Sequence, residues 1–64
     1  MPIDGRKLRA VRDRMGYSQA GFAEWCDVSP STIQRGEAGG RWSKQILEQV
    51  AAKSGVPVTD LIRK

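Results

Sequence analysis

Ser31, Gln34, Arg35 and Ala38 are the residues of this 64-residue chain whose types and spacing best suit contact with another molecule. On a helix advancing about 100° per residue, with Ile33 as the inward reference, they fall between roughly 100° and 200°. They make one outward strip with a hydroxyl, an amide and a guanidinium, and without an acid. Such groups match base edges in a major groove: Arg35 the O6/N7 edge of guanine, Gln34 the N6/N7 edge of adenine. The competing reading of the strip is a plain solvated face.

A second constellation is electrostatic. Arg12 lies four residues after Leu8 and one after Val11, inside the apolar stripe of its helix, and Glu37 lies four after Ile33, also on the inward side. Burying an unpaired charge is very costly, so two opposite charges in such places are expected to meet. The expectation is a partly buried Arg12–Glu37 salt bridge between helix one and helix three; the competing reading is that both side chains snorkel to solvent.

Other chemistries find few residues. The single Cys26 cannot form an internal disulfide, which suits a reducing cytosol, and with no histidine there is no recognisable zinc site. Cys26 has no convincing catalytic partner and reads as a small core residue. No glycine loop cradles a phosphate. Neither an enzyme nor a metal, cofactor or small-molecule ligand is expected. No apolar stretch approaches a membrane span, and the charged N-terminal residues do not read as a signal peptide.

The elements that must position these groups are short. Gly16, Ser29-Pro30, Gly39-Gly40 and Gly55 with Pro57 punctuate the chain into five segments, mostly of helical periodicity. The first runs from Asp4 or Gly5 to Met15, with Leu8, Val11 and Met15 on one stripe. The second opens at the N-cap Ser18 and carries Phe22, Ala23 and Cys26 inward. After Asp27-Val28-Ser29, Pro30 opens a third over about 30–38. A fourth runs from Ser43 to Ser54 with Ile46, Leu47, Val50 and Ala51, and a last turn or two covers Val58 to Arg63. The expected fold is all-α: a compact bundle of five short helices in a single domain, 1–64, with a helix-turn-helix at about 18–38.

Size and charge agree. One core is all that 64 residues can hold, and 11 basic against 7 acidic residues leave +4, a surface that attracts polyanions.

The stretch Leu8 to Gly39 resembles the Cro and phage-repressor family of helix-turn-helix domains, also called the XRE family. Leu8, Arg12, Gly16, Ser18-Gln19, Phe22-Ala23, Val28-Ser29, Ser31-Thr32-Ile33, Glu37 and Gly39 carry the resemblance. It continues through Leu47, Val50-Ala51 and the Gly55-Val56 to Leu61-Ile62 ending. The resemblance implies a lambda-repressor-like fold with helix three in the major groove, and an arginine–glutamate pair at Arg12 and Glu37. It implies base contacts from Ser31, Gln34 and Arg35, and phosphate contacts from Ser18 with its neighbouring amides, Gln19, Thr32, Arg41 and Lys44. Helix N-termini do attract anions; for Arg41 and Lys44 solubilising charge is the alternative. Trp25, Leu61 and Ile62 are either core or dimer surface, and relatives often dimerise through the C-terminal part.

The sequence also departs from that family. Gly36 stands where relatives usually carry a sizeable apolar residue; room for a large neighbour, Trp42 or Trp25, would explain it. Gly21 likewise weakens helix two. Asp27 replaces the usual turn glycine, and aspartate tolerates left-handed dihedrals better than most residues. Helix one is rich in cations, and Arg6, Lys7 and Arg9 either touch flanking backbone or only solubilise.

The function expected is sequence-specific binding of double-stranded DNA by a transcriptional regulator. It would be a repressor acting as a homodimer on operator half-sites about one helical turn apart, in the cytoplasm with the nucleoid. The alternative is a protein-interaction module, antitoxin-like or anti-repressor, with little DNA binding.

Overall fold

Each helix starts where a side chain can satisfy its free amides. The computed structural model of the chain describes residues 1–63. Helix α1 spans Gly5–Met15, and Asp4 caps it by accepting from the amides of Arg6 and Lys7. Ser18 caps α2 (Gln19–Cys26), Ser29 caps α3 (Pro30–Glu37) and Ser43 caps α4 (Lys44–Ser54), each accepting from an amide three residues on. Gly16 and Gly55 end α1 and α4 in the left-handed region, where glycine has no Cβ to clash. Asp27 ends α2 in the same region, at φ 61° and ψ 43°. The turn therefore keeps its geometry without a glycine. The Gln49 amide donates to the carbonyls of Cys26 and Asp27 at 2.7 and 3.0 Å, tying that turn to α4.

Ile3, Leu8, Val11, Phe22, Ala23, Cys26, Ile33, Trp42, Leu47, Val50, Ala51 and Leu61 form one core under these elements. Residues 2–4 add a backbone clasp: Ile3 donates to the Gly40 carbonyl, Asp4 to Leu61 and Arg63 to Pro2. These bonds join the loop after α3 to the C-terminal segment through isolated antiparallel bridges.

The architecture is all-helical, with three corrections. The fifth segment is a single 3-10 turn, Val58–Asp60, rather than an α-helix. Pro57 opens it in extended conformation, and the clasp takes the backbone of Leu61 and Arg63 directly afterwards. Met15 is 38% exposed, because α1 reaches past the core before Gly16 turns the chain. Leu61 is fully buried in the core of its own chain, so it offers no dimer surface; Ile62 is half-buried against that core.

Candidate nucleic-acid interface

Helices α2 and α3 and the left-handed turn at Asp27 make the helix-turn-helix. Ile33 and Thr32 face inward on α3, while Ser31, Gln34, Arg35 and Ala38 are exposed together. The strip is thus carried by a helix whose other side is locked into the core. Behind its far end the loop closes tightly, with the Gly40 amide donating to the Arg35 carbonyl at 2.9 Å. A Cβ on Gly40 would stand 2.7 Å from Arg35 Cγ, so the arginine stem lies flat against that glycine.

Arg12 and Glu37 meet behind the strip. Arg12 Nε donates to Glu37 Oε2 at 2.5 Å and Nη2 to Oε1 at 3.1 Å, with side-chain exposures of 11% and 9%. The third nitrogen, Nη1, donates to the Tyr17 carbonyl at 2.8 Å and stands 3.3 Å from Asp13 Oδ1. Gln19 donates from Nε2 to Glu37 Oε1 at 3.1 Å. One carboxylate therefore gathers α1, the start of α2 and the end of α3. Burial pushes the Glu37 carboxyl up, but hydrogen bonds from Arg12 and Gln19 and the charge of Arg12 outweigh it and hold the group below its ordinary value. The hydrogen bond to Glu37 raises Arg12 in turn, against the desolvation that lowers it.

The residues expected on phosphate divide. Ser18, Arg41 and Lys44 are exposed around the helix-turn-helix, with the Ser18 hydroxyl accepting from the Gly21 amide. Gln19 is half-buried and its amide is spent on Glu37. Thr32 is 7% exposed, and its hydroxyl shares a 2.9 Å hydrogen bond with that of Ser29. It falls on the Gly36 side of Ile33, where Trp42 packs, and does not join the exposed surface.

Gly36 has a definite partner. A Cβ there would lie 2.5 Å from Trp42 Cζ2 and 2.8 Å from Leu8 Cδ2, so the missing side chain is the slot that Trp42 fills. The Trp42 indole donates to the Thr32 carbonyl at 2.9 Å. Trp25 plays no part in it: it stacks on Tyr17 at 6.1 Å, donates to the Lys53 carbonyl and remains 49% exposed.

A family model for the helix-turn-helix domain matches residues 5–62. The chain belongs to that family. A search among curated proteins returned no match. Membership points to DNA binding, in line with the resemblance to Cro and phage repressors. In this helix-turn-helix domain Cys26 is fully buried, and burial pushes its thiol up to about 11, against a smaller opposing effect of Lys53. Such a thiol is a packing group rather than a nucleophile. Among the described residues no helix is long and apolar enough to cross a membrane, and no cluster of histidine, cysteine, aspartate or glutamate could hold a metal ion.

Two features of this site escaped the sequence. The Gly40 backing of Arg35 depends on a loop path that no periodicity reveals. The link from Gln19 to Glu37 left no signal beyond the amide itself.

Proposed function

We propose that this helix-turn-helix domain is a sequence-specific regulator that binds operator DNA, with α3 in the major groove and Ser31, Gln34 and Arg35 over base edges. The observation that carries this reading is the exposed, acid-free strip on a helix whose opposite face is fixed by Ile33, Trp42 and the Arg12–Glu37 pair. Ser18, Arg41 and Lys44, exposed in the folded chain, hold phosphate in this reading and set the register. The domain acts as a homodimer on half-sites about one helical turn apart, and represses by occupying the operator. It works in the cytoplasm, on nucleoid DNA, without a cofactor. Specificity rests on the strip; the net charge of +4 supplies attraction and association rate.

Titration of a fluorescent cognate duplex tests the reading. Arg35→Ala should lose about 1–3 kcal/mol on the cognate duplex, roughly fivefold to 150-fold, while changing affinity for unrelated duplex little. Equal losses on both duplexes would reduce Arg35 to a phosphate contact.

A second reading, a protein-interaction module, draws on the exposed Trp25 stacked on Tyr17. A protein partner lost in Trp25→Ala, together with full function of Arg35→Ala, would favour it.

A further inference from the structure

The cations of this small domain sort by what already engages them. Arg12 is committed to Glu37, Arg9 pairs with Asp13 at 3.7 Å, and the Lys7 ammonium donates to the Thr59 carbonyl at 3.4 Å. Arg6 and Arg63 are exposed and form no ion pair among the described residues. They stand 57 positions apart in sequence, 63 − 6, yet line one groove. The backbone clasp brings them there, through Asp4 donating to Leu61 and Arg63 donating to Pro2.

The rest of the lining gives the groove its direction. Ala38 and Gly39, where the strip on α3 ends, line it together with Ile3, Asp4 and Gly5. The groove is thus continuous with the proposed DNA-reading surface. Glu37 borders it, but its carboxylate is taken by Arg12 and Gln19. Asp4 is the other acid, and its Oδ1 is engaged by two amides of α1. Arg6 has no helix-stabilising reason to be where it is. A cation in the first turn opposes the helix dipole and is mildly unfavourable there.

We propose that Arg6 and Arg63 form a second phosphate-binding site, which takes the DNA backbone beside the end of the recognition helix. The inference rests on the DNA-binding reading and extends its footprint across α1 and the C-terminal segment. Two guanidiniums lining one groove suit a phosphodiester, whose single negative charge is shared by two oxygens and carries no sequence information.

The test is the salt dependence of duplex binding by the full chain, comparing wild type with Arg6→Ala, Arg63→Ala, the double variant and Arg14→Ala. Arg14 lines a different groove, with Lys7, Ala10, Val11 and Asp60, and its replacement removes the same charge. Each site variant should flatten the slope of log K against log salt by about 0.9, and the double variant by about 1.8. Between 50 and 200 mM salt the double variant should then lose roughly tenfold less affinity than wild type does. The losses should match on cognate and unrelated duplex, with Arg14→Ala near wild type and thermal midpoints preserved. An unchanged slope in the double variant, or an equal flattening by Arg14→Ala, would overturn the site while leaving DNA binding intact. Absence of salt-sensitive duplex binding by the wild type would instead overturn the DNA-binding reading itself, and this site with it.

Discussion

Replacing Glu37 with alanine should destabilise the domain by about 3–5 kcal/mol, the usual cost of leaving one member of a buried ion pair alone. At roughly 0.05–0.15 kcal/mol per residue a domain of this length has about 3–10 kcal/mol in total. Glu37→Ala is therefore expected to be largely unfolded at room temperature, or to melt some 15–30 °C lower. The cost is high because Arg12 is only 11% exposed and would keep its charge without a carboxylate, while Gln19 would lose its acceptor. Double substitution separates the pair from simple packing. Arg12→Met with Glu37→Leu should recover much of the loss, since an apolar pair of similar volume avoids the desolvation of both charges. Circular dichroism melts of the two single variants and the double variant give the coupling directly.

The same pair sets an acid dependence. Glu37 in the folded chain is held below its ordinary value, so the unfolded chain binds the proton more readily. Its stabilisation is complete above the usual glutamate value near 4.3 and is lost as pH falls through the depressed folded value. Arg12 is shifted upward and remains charged across that whole range. Acid unfolding should begin below about pH 4, and Glu37→Gln should flatten that limb of the stability curve.

Trp42→Ala should cost about 3–5 kcal/mol, the range for removing a large buried aromatic. Trp42 is 2% exposed, fills the space left at Gly36 and donates its indole N–H to the Thr32 carbonyl. The companion expectation is a reversal of sign at Gly36. Alanine in a helix interior is worth up to about 1 kcal/mol over glycine, so Gly36→Ala would stabilise an open site. Here its Cβ would stand 2.5 Å from the Trp42 ring and 2.8 Å from Leu8, and overpacking of that kind costs about 1–3 kcal/mol. Gly36→Ala should thus destabilise the wild type yet stabilise the Trp42→Ala background. Identical shifts in both backgrounds, by chemical denaturation, would show that the tryptophan and the glycine are not coupled.

These two features also show where the sequence speaks and where it is silent. Arg12 and Glu37 stand out in the sequence because each charge interrupts an apolar stripe, a local signal that a helical wheel displays. The caps of α1 to α4 are legible for the same reason: aspartate and serine at an N-cap act within three residues. Gly36 is an anomaly on the wheel, and only the three-dimensional path of the loop selects Trp42 over Trp25 as its partner. Ile3 belongs to the core without belonging to any helix, because a backbone clasp between distant segments buries it. The C-terminal segment misled for a related reason. Val58, Leu61 and Ile62 follow helical spacing, but only Val58–Asp60 winds, as one 3-10 turn, and Leu61 then turns into the core. Within the strip, Ser31, Gln34 and Arg35 are exposed where the helical period put them. Thr32 is buried because it lies on the Gly36 side of Ile33, where Trp42 packs, while Gln34 lies on the other side.

Base reading by the strip on α3 can be checked by selecting binding sites from random duplex DNA. The selected pool should be enriched in a two-fold symmetric motif with half-sites about one helical turn apart, and with a guanine in each half-site that Arg35→Ala no longer selects. Recovery of unenriched DNA, or of a motif that Arg35→Ala selects equally well, would contradict base reading by the strip.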